Sequence, residues 1–260
     1  MAAAQGIAEF LPISSSGHLL VLSKWFGFDA GKSMTLNVVL HAGTLLAIVV
    51  FYFKKLLSIL CEPSRRKLIP LVIAGSIPAG IAGIALKTTG LEEKLFSSTW
   101  IAALGFTVTG CMLFWVFRKK EDAPDAVAAE KMNYKQALLI GCAQAVAITP
   151  GISRSGSTIS CGVLSKLRKA DAAEFSFLLA IPAIGGAALL EVWDIVKEAD
   201  AVSGSELFPL SIGFIISAAV GYFSLAGLIA LLKKGRLDCF AYYLFFAAAV
   251  TVTVEMFKLF

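Results

Sequence analysis

The chain of 260 residues is 58% apolar and only 16% charged, with a mean hydropathy of +0.81. A soluble domain is nearer a quarter charged, so this composition excludes an ordinary soluble fold and describes a polytopic membrane protein. The net charge of +5 does not call for a nucleic-acid partner, because the basic residues sit in short loops between apolar runs, where they act as topology signals.

Residues 1–13 are apolar but too short to cross a bilayer core that needs roughly 20 residues. The run at 19–28 is short too, and Ser14, Ser15, Ser16, Gly17 and His18 separate the two. Two half-length helices around a polar turn predict a re-entrant hairpin over 1–28; one broken spanning helix is the other reading. Spans are predicted at 37–53, 68–86 and 100–117, with basic loops after the first and third. Gly75, Ala79 and Gly83 lie four apart in the second span and predict close helix packing. Residues 118–133, charged and containing Pro124, form the one clear linker. The short–polar–short pattern then returns over 134–165, around Thr149–Thr158. Spans follow at 175–196, 207–232 and from 240 onward, with an acidic loop expected at 191–206. Cys61, Cys111, Cys142, Cys161 and Cys239 are scattered without a C-x-x-C pair and read as free thiols. No basic stretch precedes a cleavage site, so no signal peptide is expected.

The two polar stretches are copies. Residues 4–17, AQGIAEFLPISSSG, fall without a gap on residues 143–156, AQAVAITPGISRSG. The same offset of 139 residues sets Pro70 on Pro209. The expected fold is therefore an all-α integral membrane protein of two inverted-topology repeats, 1–117 and 134–260, each a re-entrant helical hairpin plus three transmembrane helices. Loops 54–67, 118–135, 166–169 and 233–236 carry the Lys/Arg excess and are assigned to the cytoplasm, and loops 87–98 and 191–206 to the outside. Three spans per half is odd, so the second half enters upside down, bringing both hairpins together near the midplane.

Polar groups at membrane depth mark function by default. Around Arg154, the second stretch supplies Gly151, Ser153, Ser155, Ser157 and Thr158 at a helix start, a setting suited to anions. The guanidinium fork fits phosphate oxygens, although pairing with Glu9 to hold the halves together is the plainer role for it. In the first stretch Glu9 can act as a base or hold a divalent cation. Gln5, one turn earlier, shares its face. Among Ser14, Ser15 and Ser16 stands a candidate nucleophile, which a nearby base must activate. Ser14 and Ser16 read as caps of the following helix. His18 reads either as that base or as a structural hydrogen bonder, and His41 with Asn37 as packing groups. Together these signals suggest phosphoryl chemistry on a lipid-borne substrate.

The two motifs resemble those of the bacterial undecaprenyl-diphosphate phosphatase family of the bacitracin-resistance type. QGIAEFLPISSSGH (residues 5–18) is similar to that family's (E/Q)xxxE motif with its serine-rich continuation. PGISRSGST (residues 150–158) is similar to its PGxSRSxxT motif. The resemblance implies hydrolysis of the C55 isoprenoid diphosphate to monophosphate and phosphate, with a divalent cation such as Mg2+ or Ca2+. It places the work at the outer side of the bacterial plasma membrane, recycling the lipid carrier of cell-wall synthesis. It implies Ser15 as nucleophile, with Glu9 or His18 as base and Glu9 toward the cation. Ser153, Arg154 and Thr158 are implied on the substrate phosphates; Gln5, Ser14, Gly151 and Ser155 are the further candidates for binding there. The implied partners are that lipid and the surrounding membrane; assembly as a homodimer is left open. The rival from another class is a secondary transporter or flippase for an anionic lipid or an anion, because inverted repeats with broken helices also serve transport.

Overall fold

The structure, a computed structural model, describes residues 1–27, 34–119, 121–198 and 204–257. Among these residues there is no β-strand, only twelve α-helices and a 3-10 turn at Ala129–Lys131. The first half holds α1 (Ala2–Phe10), α2 (Ser15–Phe26), α3 (Met34–Phe51), α4 (Phe53–Cys61), α5 (Leu68–Thr89), α6 (Leu91–Phe96) and α7 (Thr99–Phe117). The second holds α8 (Tyr134–Val146), α9 (Arg154–Leu164), α10 (Lys169–Glu198), α11 (Gly204–Lys233) and α12 (Cys239–Phe257). Helices α5, α7, α10, α11 and α12 contain spans long and apolar enough to cross a bilayer. A sixth follows if α3 and α4, bent by 64° at Tyr52, count as one.

The breaks follow local chemistry. Pro12 disfavours helical angles at Leu11, which is extended at ψ 144° and ends α1. Gly27, left-handed at φ 63°, ends α2. Asn133 and Gln136 exchange hydrogen bonds with each other's backbone N–H and open α8 with a capping box.

Three expectations change. Residues 54–67 are not wholly a loop: α4 is amphipathic, with Leu56 and Ile59 packed inward and Phe53, Leu57 and Leu60 outward. The acidic loop expected from Glu191 is helical as far as Glu198, since no Gly or Pro interrupts residues 187–198; residues 199–203 lie outside the described set. Of the small-residue face on α5, Gly75 is packed, but a side chain added at Gly83 would meet open space.

Packing crosses between the halves. Helix α1 lies on α11 and α8 lies on α5, while α3 packs on α10 and α11 and α7 on α12. Close approach needs glycine: a Cβ on Gly141 would sit 2.1 Å from the Gly75 carbonyl oxygen, and one on Gly6 2.9 Å from the Gly221 nitrogen. Helix α10 is buried all round between Ala172 and Ala180, as a helix at the centre of a large membrane bundle should be. Its Phe177 meets Phe10 and Tyr52 at ring distances of 6.0 and 5.9 Å. The buried Glu174 of α10 is paired by both Lys55 and Arg65, and Arg65 also lies 3.2 Å from Glu130. The linker is strapped down too: Val127 donates to the Lys166 carbonyl, and Asp122 and Asp171 accept from the Lys169 and Ala129 amides.

Candidate active site

The two polar turns fold alike. Ser14 caps α2 by accepting from the Gly17 amide at 3.4 Å, and Ser153 caps α9 by accepting from the Gly156 amide at 3.1 Å. The hydroxyls of Ser14 and Ser16 are 3.4 Å apart, and those of Ser153 and Ser155 are 3.2 Å apart. Each of these residues is its counterpart at the 139-residue offset. Ser14 also stands at φ 68° without being glycine, a strained conformation of the kind stored at functional sites.

The turns touch each other as well. A Cβ on Gly17 would lie 2.7 Å from the Gly151 backbone, and one on Gly156 would lie 3.3 Å from the Pro12 Cβ. Pro12 and Gly151 are themselves counterparts. The contact is thus reciprocal, as across a two-fold axis. Helix α7 backs both turns. The Ser153 amide donates to the Thr109 hydroxyl, which donates to the Gly151 carbonyl, each at 3.1 Å. Gly151 has φ 86°, and a side chain there would put Cβ 2.1 Å from the Ala102 carbonyl oxygen. Gly151→Ala should therefore cost about 3 kcal/mol, from the backbone strain and the overpacking together. Thermal unfolding in detergent checks this against Gly27→Ala, which has φ 63° but open space around it and should cost about 1 kcal/mol. Equal losses would mean that the Ala102 contact is not the cause.

Three expected residues meet at a fourth, Glu9. Its Oε2 accepts from the Ser15 hydroxyl at 3.0 Å and from Gln5 Nε2 at 3.1 Å. Its Oε1 accepts from Arg154 Nη2 at 2.7 Å. Both charged side chains are largely buried, 9% and 15% exposed, so the pair sits in a medium where it is strong and where losing one partner would strand the other. Among the described residues, Arg154 Nη1 and Gln5 Oε1 are buried with no hydrogen-bond partner.

The remaining candidates are placed differently. His18 donates from Nδ1 to the Ser14 carbonyl at 2.8 Å, so the neutral ring accepts at Nε2 from the Tyr243 hydroxyl, also 2.8 Å away. The ring packs 4.7 Å from Phe106; its hydrogen bonds go to Ser14 and Tyr243, while the Ser15 hydroxyl goes to Glu9. Thr158 donates to the Arg154 carbonyl at 2.8 Å and meets the Ser176 hydroxyl, which engages it inside the protein. Ser155 is occupied with Ser153.

Residues 1–250 match the family described as bacitracin resistance protein BacA. A Rhodopirellula baltica protein named undecaprenyl-diphosphatase is 41% identical over 98% of this chain and 96% of its own length. Proteins of that name from Carboxydothermus hydrogenoformans and Methanosphaera stadtmanae are 37% and 35% identical, over 96% and 98% of this chain and 94% and 96% of their own lengths. The chain belongs to the BacA family.

As a BacA member it is a multi-pass membrane protein, consistent with its long apolar helices. In this BacA chain two further residues stand near the candidate site, and one of them, Tyr243, escaped the sequence reading. His41 of α3 lies within electrostatic reach of Glu9, although its Nδ1 donates to the Asn37 carbonyl at 2.9 Å, the packing bond expected of it. The sequence signal was a lone histidine in an apolar span. Tyr243 gave none, since its partner His18 is 225 positions away. Gln144, the counterpart of Gln5, is buried, and both its amide atoms are unpaired among the described residues. No group of three or more Asp, Glu, His or Cys forms a metal cluster among the described residues.

Proposed function

We propose that this chain hydrolyses undecaprenyl diphosphate to undecaprenyl phosphate and phosphate, and so returns the lipid carrier to cell-wall synthesis in the bacterial plasma membrane. The observation that carries the reading is Glu9, bonded at once by the Ser15 hydroxyl and by Arg154, with a second Arg154 amino group buried and unpaired. A buried donor without a partner costs about 1–3 kcal/mol or more, and a phosphoryl oxygen removes that cost. Ser15 Oγ then attacks the terminal phosphorus and gives its proton to Glu9. The bridging P–O bond breaks and undecaprenyl phosphate leaves; water hydrolyses the phosphoserine and releases phosphate. Arg154 steadies the charge on the phosphoryl oxygens, the main task in this chemistry. The hydrogen bond from Ser15 to Glu9 favours Glu9 over His18 as base. Relatives named for an enzyme favour hydrolysis over the transport alternative.

A divalent cation fits the donors present. Glu9 and the unpaired Gln5 carbonyl oxygen are hard ligands, and Mg2+ is commonly held by one or two carboxylates together with substrate phosphates. Bound there, it would neutralise diphosphate charge.

The inverted-repeat arrangement is part of the same proposal. It is supported by the reciprocal contacts of the two turns and by the crossed pairing of α1 with α11 and α8 with α5. The active site then opens to the outer side. Ala123→Cys in the linker and Ser97→Cys before α7, each in a cysteine-free background, should label from opposite sides with an impermeant thiol reagent. Labelling from one side would end the inverted account. The activity itself is tested by phosphate release from undecaprenyl diphosphate with purified protein. No release above an Arg154→Ala control, with and without Mg2+ or Ca2+, would overturn the function.

A further inference from the structure

At the far end of α8 from the Arg154 turn, a cleft of about 180 Å3 is lined by Lys67, Pro70, Leu71, Met132 and Tyr134. Lys67 caps α5 and Tyr134 opens α8. The two helices run side by side in the same direction, for Gly75 meets Ala137 and Gly141 further along. Helix α8 is 13 residues long, so the cleft lies about 18 Å along the axis from the α8–α9 turn at ~1.5 Å per residue. It is a separate place.

Its chemistry is graded along the helix axes. At the mouth Lys67 is exposed, and Lys135, the residue after Tyr134 in the chain, is exposed as well; among the described residues no carboxylate forms an ion pair with either. Arg65, by contrast, is committed to Glu174. Tyr134 follows, 57% exposed, a phenol with one wet and one apolar end. Further along the two helices, Ile69, Ile73 and Ile77 form an exposed stripe at helical spacing on α5, and Leu138, Leu139 and Val146 are exposed on α8. Cations, then an interfacial tyrosine, then bare aliphatic surface is the order of a bilayer leaflet from headgroup to acyl chain.

We infer that this cleft binds one anionic phospholipid of the surrounding leaflet, its phosphate at Lys67 and the Tyr134 hydroxyl and an acyl chain along the Ile69–Ile73–Ile77 stripe. Charge complementarity selects the occupant. A zwitterionic headgroup offers no net charge to Lys67 in the cleft or to Lys135 beside it in the chain. A diphosphate needs several convergent donors of the kind gathered at Glu9 and Arg154, not a single lysine and a phenol. The lipid would hold α5 and α8 together at the end where their N-termini meet.

Native mass spectrometry of the whole protein, titrated with phosphatidylglycerol or phosphatidylcholine, tests the assignment. Wild type should retain one phosphatidylglycerol about tenfold more tightly than phosphatidylcholine, and Lys67→Gln with Lys135→Gln should remove that preference. Tyr134→Leu should weaken retention of phosphatidylglycerol without restoring phosphatidylcholine. Unchanged retention in the double lysine variant would overturn the site, and so would equal retention of both lipids by wild type. Loss of the bound phosphatidylglycerol in Arg154→Ala alone would also overturn it, by placing the lipid at the Glu9 cluster.

Discussion

Arg154→Lys should lose hydrolysis of undecaprenyl diphosphate by about a hundredfold or more, although the positive charge is kept. The arginine holds Glu9 with Nη2 and leaves Nη1 buried and unpaired. That division needs a planar fork with donors fixed at two points. Lysine has one ammonium, a point charge on a flexible stem, and can serve the carboxylate or the phosphate but not both in this geometry. If Arg154 only neutralised Glu9 and tied the halves together, lysine would largely replace it. Phosphate release in detergent, measured with the unfolding midpoint, separates the outcomes. Near-normal turnover in a stable Arg154→Lys protein would remove the clamp from the proposed mechanism.

The largest effect is expected at Ser15. Ser15→Ala should lower hydrolysis by at least about a thousandfold, while undecaprenyl diphosphate still binds through Arg154. Ser14→Ala removes a cap and should cost about 1 kcal/mol of stability, with less effect on turnover. Ser16→Ala removes only a 3.4 Å contact with Ser14 and should cost less. An acid quench during turnover, followed by mass spectrometry, should find a phosphoryl group on the peptide containing Ser15. Substantial hydrolysis by Ser15→Ala would transfer the attack to water activated at Glu9.

Much of this architecture is written locally in the chain. The polar run Ser14–His18 predicts the break between α1 and α2, and the copied stretch at 143–156 predicts that a second break exists. The start of α9 at Arg154 repeats the start of α2 at Ser15 because both are set by a serine cap three residues before a glycine. Composition misled where two signals competed. At 54–67 the lysines and arginines mask the alternation of Leu56 and Ile59 with Phe53, Leu57 and Leu60, so a short helix reads as a loop. At Glu191–Glu198 acidic residues suggest a turn, although nothing there breaks a helix. Hydroxyl chemistry is harder still. Nothing in the two motifs reveals that Thr158 meets the Ser176 hydroxyl of α10, or that Tyr243 occupies the second nitrogen of His18. Those bonds depend on helices brought together by packing, which spacing along the chain does not encode.

The matched caps have a consequence for how such a centre can arise. Ser15 and Arg154 occupy the same position, the first residue of the helix after the capping serine, in two turns whose contacts are reciprocal. Two identical chains meeting in this way would place the same side chain at both positions, either two hydroxyls or two cations. Two hydroxyls lack a counter-charge, and two buried guanidiniums repel each other. Joining both copies in one polypeptide lets the positions diverge, so that an attacking oxygen and a cation flank the single carboxylate of Glu9, whose own counterpart is the inert Ile148. Restoring the symmetry in either direction, by Ser15→Arg or Arg154→Ser, should therefore disable the centre even where the backbone is undisturbed.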